Sequence, residues 1–224
     1  IGRQELDYTA LDQFLRDQAI DWQPVGAASY AEELCETAGR LCYMSFQRPR
    51  PGGSKAYLEN ILESAHGSVL EHAVWNFLIS GVSRSFSHEL VRPRHLSYSQ
   101  LSQRYVDERW QNTSQIMDDN YVILAEILLA RGKLPCSQCG FNEPVLEKLG
   151  GAKVGCPQCK QVFLISTEER TTARQAARSV LPNATETKIL VTGNARALRG
   201  TIELRCSRHA EPEIRKVFYQ VWKL

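Results

Sequence analysis

Arg92-Pro93-Arg94-His95-Leu96-Ser97-Tyr98-Ser99-Gln100-Leu101-Ser102-Gln103-Arg104-Tyr105 is the stretch on which the reading of this chain turns. Its arginines stay charged at any working pH, and each guanidinium offers paired donors that match a phosphate. Ser97, Ser99, Ser102, Gln100 and Gln103 add neutral donors and acceptors beside them. With Arg84, this set suits an anionic, hydrogen-bond-rich ligand such as a nucleotide. Pro93 forces a break in any helix that enters from the N-terminal side, because it lacks an amide hydrogen and clashes with the preceding turn.

Outward from that segment, the pattern is mixed. Residues 82–92 read as a helix, and 73–80 (Ala-Val-Trp-Asn-Phe-Leu-Ile-Ser) as an aromatic-rich strand with one face fully buried. Further upstream, Ser29 and Glu32 suggest a capping box for a helix over 29–41, with Leu34, Ala38 and Leu41 as its apolar face. Pro49 to Gly53 make a loop. Ser54 then caps a helix with Leu58, Ile61, Leu62 and Ala65 on one face, which ends at His66-Gly67. Downstream, helices are expected over 120–131 and 168–181. Thr187, Ile189 and Val191 alternate with Lys188, Leu190 and Thr192 as a strand would. Helices over 195–207 and 210–222 complete the pattern. Helices between separated strands make this an α+β chain, with helices around a small central antiparallel sheet. We read residues 1–224 as a single domain, with 134–165 as an inserted or replaced lobe.

Composition is ordinary for a globular protein, with 43% hydrophobic and 23% charged residues and a net charge of +2. That charge excludes a global field demanding nucleic acid or membrane. The arginines cluster locally, at 84–109, 170–178 and 196–208. No apolar run is long enough to span a bilayer. The opening residues Ile1 to Glu5 lack a leader pattern, and seven cysteines are an odd count for a disulfide framework. Both point to a reducing, cytoplasmic setting.

Four of those cysteines form Cys136-x-x-Cys139 and Cys156-x-x-Cys159. Two thiolates at that spacing can bite one ion from a knuckle turn, and a second knuckle completes the tetrahedron zinc prefers. The pattern is that of a zinc ribbon, with structural zinc and no catalytic vacancy. Lys133, Lys148, Lys153 and Lys160 give it some positive charge, with Phe141 and Phe163 as candidate stacking rings.

The arginine–serine stretch also resembles the flavin-dependent thymidylate synthases (the ThyX family). They carry Arg-His-Arg, seven variable residues, then Ser-x-Arg. Arg92, Arg94, Ser102 and Arg104 match that spacing. His66-Gly67-Ser68-x-x-Glu71-His72, Ala173 to Thr187, Gly193-Asn194-x-Arg196 and Arg205-x-x-x-His209 resemble further family blocks in the same order. The resemblance covers roughly 25–110 and 170–217. It implies conversion of dUMP to dTMP with methylenetetrahydrofolate as carbon donor, FAD as hydride carrier and NADPH as its reductant. It implies a homotetramer with shared active sites. By the same resemblance Ser68, Arg92, Pro93, Arg94, Gln100, Asn194, Arg196 and Gly200 lie at the FAD site. Glu89, Arg92, Gln100, Ser102, Gln103, Arg104, Arg178 and Arg205 hold dUMP, and Arg205 stabilises negative charge on the pyrimidine.

Departures accompany the match. Pro93 replaces the family's central histidine, and Gly200 stands where histidine or asparagine is usual. Both lie on the flavin side, which implies weaker FAD binding than in the family. Ser102 reads as a phosphate ligand rather than a nucleophile, and Cys206 is not needed for covalent catalysis. Glu71 and His72 read either as a buried structural pair or as direct participants. A second reading of the whole chain is a catalytically weakened scaffold that binds nucleotide or nucleic acid through the ribbon, and salt-sensitive binding would mark it.

Overall fold

Alternation over 186–194 places Thr187, Ile189 and Val191 inward at 1%, 0% and 2% exposure, so this segment is a strand with one fully buried face. The structure is a computed structural model that describes residues 2–3, 6–48, 50–103, 122–129, 133–142, 147–150 and 153–224. The helices are α1 (Tyr8–Asp17), α2 (Tyr30–Leu41), α3 (Gly53–Glu63), α4 (Arg84–Leu90), α5 (122–129), α6 (Thr167–Ala177), α7 (Ala195–Arg205) and α8 (Pro212–Lys223). The strands are β1 (Gly2–Arg3), β2 (Val74–Ser83), β3 (Leu96–Gln100), β4 (Glu147–Gly150), β5 (Lys153–Gly155), β6 (Val162–Leu164) and β7 (Glu186–Asn194). They form one sheet in the order β1-β2-β7-β3 and another in the order β4-β5-β6. This is the expected α+β architecture of helices with small antiparallel sheets.

The chain forms two compact units. One comprises residues 1–80, 86–99 and 189–224, and the other 81–85 and 100–188. In the first, α2 begins as its sequence indicates: the Ser29 hydroxyl accepts from the Glu32 amide at 3.4 Å. The Glu32 carboxylate reaches back to the Ala28 amide at 2.5 Å. Its buried face differs from the expected one. Leu41 is exposed, and the buried residues are Cys35, Glu36, Gly39 and Arg40. Arg40 pairs with Glu36 at 2.7 Å, donates to the Ser45 and Arg48 carbonyls, and lies 4.6 Å from the Tyr57 ring centroid. These bonds offset part of the desolvation cost of burying two charges, while the Glu36 Oε2 has no partner among the described residues.

Ser54 does not cap α3. Gly52 is the capping residue, and Ser54 is fully buried in the first turn. The start is built on Gly53, whose φ of +65° and 2.2 Å approach of a would-be Cβ to the Val25 carbonyl admit no other side chain. Tyr57, Ile61 and Val69 form the buried cluster beneath it, with Leu58 packed alongside. β2 is less buried than its aromatic content suggests: Phe77 and Val82 are inside, while Leu78 is 73% exposed.

In the second unit, α6 opens on a full capping box between Ser166 and Glu169 and continues as a 3-10 turn, Arg178–Val180, before Pro182. Ala125 of α5 and Ala177 of α6 share a buried cluster with Leu124, Val180 and Leu181.

Candidate functional site

The predicted residues fall into two groups, one in each unit. In the first unit, β3 returns from the Pro93 break and α7 starts directly after β7. A cavity of about 870 Å³ is lined by Arg92, Pro93, Arg94, Asn194, Arg196, Gly200 and Arg205. That volume suits a large cofactor or a nucleotide. Arg92, Arg94 and Arg196 are exposed at its rim, with Arg92 and Arg196 each in an ion pair. Asn194 also has a structural task, because its side-chain oxygen accepts from the Ala197 amide at 2.8 Å and caps α7. No atom lies within 4 Å of a Cβ built on Gly200, so that position widens the cavity. Ser68 is exposed on the 3-10 turn Gly67–His72. A Cβ built on its neighbour Gly67 would stand 3.4 Å from the Arg196 Nε, so this turn lies close against that arginine.

Arg205 sits at the C-terminal end of α7 and is 8% exposed. Its Nη1 donates to the Glu89 carboxylate at 3.0 Å, and its Nη2 donates to the Glu89 carbonyl. The other oxygen of Glu89 pairs with Arg92 at 3.0 Å. One carboxylate from α4 thus orients two arginines. The Arg205 Nε is buried without a partner among the described residues. Tyr98 donates to the Leu90 and Pro93 carbonyls at 2.8 and 3.2 Å, clasping β3 to the end of α4. Burial pushes its phenol up to about 12 against the opposing pull of Arg205, so it remains a donor at neutral pH.

Glu71 and His72 are not a buried pair. Both are exposed, and Glu71 lines the cavity and pairs with Arg196 at 2.6 Å. His95, within the opening stretch, and Leu204, which no motif argument singled out, also line the cavity. Burial pushes the Cys206 thiol up, which keeps it protonated and unsuited to nucleophilic attack.

In the second unit, Arg84 donates to the Gln103 side-chain oxygen. Gln103 is 5% exposed, and its Nε2 has no partner among the described residues. Gln100 donates to the Thr187 hydroxyl at 3.1 Å. Ser102 and Arg178 are exposed. Burial, with Arg178 nearby, lowers the pKa of Arg84, which shows two cations sharing one neighbourhood. Arg104 lies outside the described residues.

Also in the second unit, Cys136, Cys139, Cys156 and Cys159 bring their sulfurs within 4.8 Å of one another. This cluster joins both predicted pairs and fits a single thiophilic metal ion.

The residues present fit FAD and dUMP in charge and space. The cavity of the first unit has cationic walls, and the Arg205 Nε on it is a buried donor with no partner among the described residues.

A family profile described as "Thymidylate synthase complementing protein" matches residues 25–224. The chain is 43% identical over 218 residues to the flavin-dependent thymidylate synthase of Mycobacteroides abscessus, covering 93% of this chain and 80% of that one. It is 47% identical over 212 residues to the enzyme of that name from Mycobacterium sp. strain JLS, with the same coverage. Among solved structures, the Helicobacter pylori flavin-dependent thymidylate synthase ThyX, complexed with FAD and dUMP, superposes with a TM-score of 0.54 at 22% identity. That match covers 87% of this chain and 89% of that one, and it is a likeness of fold. By both the profile and the identities, this chain belongs to the thymidylate synthase complementing protein family, the family of the flavin-dependent thymidylate synthases.

Proposed function

We propose that this chain is a flavin-dependent thymidylate synthase. It reductively methylates dUMP to dTMP with methylenetetrahydrofolate and NADPH as co-substrates. The observation that carries the reading is Arg205: a buried guanidinium, fixed by Glu89 on a cavity wall, with one donor still unsatisfied. Relatives 41–47% identical across most of the chain bear that enzyme's name, which favours turnover over a non-catalytic nucleotide- or nucleic-acid-binding scaffold.

In this reading Ser68, Arg92, Pro93, Arg94, Gln100, Asn194, Arg196 and Gly200 hold FAD. Glu89, Arg92, Gln100, Ser102, Gln103, Arg104, Arg178 and Arg205 hold dUMP. When bound, the reduced flavin supplies the hydride. The chain's own part is to bind, orient and polarise. Carbon 5 of uracil is a weak nucleophile, and a fixed cation beside the ring stabilises the negative charge that develops as it reacts. Arg205 supplies that charge without reorganising, because Glu89 already holds it. The exposed Arg178 and the neutral donors of Gln100, Ser102 and Gln103 neutralise and position the phosphate. The proposal includes a homotetramer in the cytoplasm. Its support is the exposure of Leu78, Leu204 and Trp222, large apolar side chains that a subunit interface would cover.

The experiment is tritium release from dUMP labelled at carbon 5. Release that requires FAD and NADPH is the expected result. No release from protein reconstituted with FAD, together with salt-sensitive nucleic-acid binding, would replace this reading with the scaffold.

A further inference from the structure

We propose that Cys136, Cys139, Cys156 and Cys159 hold one Zn²⁺ ion whose task is structural: it folds the 134–165 lobe and anchors the start of α6. This rests on the second unit alone and is independent of the thymidylate synthase reading.

The two cysteine pairs build the same turn. The Cys136 amide donates to the Phe141 carbonyl at 2.8 Å, and the Gly140 amide to the Cys136 carbonyl at 2.8 Å. In the second pair the Cys156 amide donates to the Gln161 carbonyl at 2.8 Å and the Lys160 amide to the Cys156 carbonyl at 2.9 Å. The residue after each pair is left-handed, with φ of +71° at Gly140 and +64° at Lys160. Glycine takes that conformation freely, but lysine resists it. A turn adopted against its own local preference is held by something beyond that preference.

The turns face each other. The Cys136 sulfur is 3.6 Å from that of Cys159, and the Cys139 sulfur is 3.7 Å from that of Cys156. Four sulfurs at about 2.3 Å around a tetrahedral ion stand about 3.8 Å apart. Among the described residues of the lobe, the buried apolar side chains are Cys136, Cys156 and Ile165. Two of these three are the cysteines themselves, so the described core of the lobe is centred on the proposed metal.

A four-sulfur set suits zinc or a single iron, and the affinity order of divalent ions places Zn²⁺ above Fe²⁺. Sulfur fills every coordination position, which leaves no place for substrate. Lys133, the residue directly before the lobe, is tied to the start of α6, its Nζ lying 2.6 Å from Glu169 in the capping box.

Elemental analysis of the whole chain, purified without chelator, is the first test. One zinc per chain is expected, released as a mercurial blocks the four cluster thiols in addition to the exposed Cys42. Cobalt exchange should give the red-region bands of a tetrahedral thiolate site. The Cys139→Ser/Cys159→Ser variant should lose the ion and become cleavable by protease within 134–165. If that variant does not fold, zinc release from the wild-type chain decides the same question. One iron per chain, or four cysteines free or disulfide-bonded with no metal, would overturn the proposal.

Discussion

Replacing Glu89 with glutamine isolates the device that holds Arg205. The Arg205 side chain is 9% exposed and that of Glu89 31%. Arg205 makes two bonds to this residue, one to the carboxylate at 3.0 Å and one to the main-chain carbonyl. Glu89→Gln keeps the second bond and the shape of the first, and removes the negative charge. A hydrogen bond between charged groups contributes about 1.5–3 kcal/mol. The partial exposure of Glu89 sets the loss near the lower end, at about 1.5 kcal/mol. A loss of about 1.4 kcal/mol is tenfold in an equilibrium or rate, so kcat/KM for dUMP should fall roughly tenfold. Glu89→Asp should retain more activity than Glu89→Gln. Flavin occupancy should be read alongside, because Glu89 also pairs with Arg92, which the proposal places at FAD. Activity within about twofold of wild type, or a loss that tracks flavin dissociation alone, would refute the positioning role.

Gly53→Ala forces a side chain into left-handed backbone and onto the Val25 carbonyl, 2.2 Å away. It should destabilise the chain by about 2–3 kcal/mol, read as a lower urea midpoint. An unchanged midpoint would show that the α3 start can rearrange. Gly200→Ala meets open space on an exposed helix position and should gain about 0.8 kcal/mol from helix propensity, seen as a higher Tm. A fall in Tm would mean the cavity wall there is not open. Lys133, followed by the Ser166 cap, holds the Glu169 carboxyl down to about 2 from the usual 4.5. The stabilisation is therefore present above about pH 4.5 and is lost as pH falls towards 2. Glu169→Gln should flatten the acid limb of the stability profile in that window, and an identical limb would remove Glu169 from the account.

Much of this was legible in the chain because it is local. The period-two run at Thr187, Ile189 and Val191, the Ser29 cap and the two cysteine pairs are short-range patterns, and each forms as its spacing indicates. The arginines that line the cavity were likewise recognisable from type and spacing. What escaped is long-range or disguised. Arg205 meets Glu89 across 116 residues and Arg196 meets Glu71 across 125, and no pattern in one sequence encodes such pairings. Glu36 and Arg40 look like an exposed pair one helical turn apart, yet they are the buried face of α2, because Trp22 and Tyr57 cover the guanidinium. β3 escaped notice because its serines mask a strand whose inward residue is Leu96.

The most direct measurement of the central claim is dTMP formation from dUMP by the purified chain, with FAD, NADPH and methylenetetrahydrofolate omitted one at a time. The account predicts dTMP only when all three are present, and loss of product in Arg205→Ala under conditions where that variant remains folded. No dTMP from FAD-reconstituted wild-type protein, or undiminished dTMP from Arg205→Ala, would contradict it.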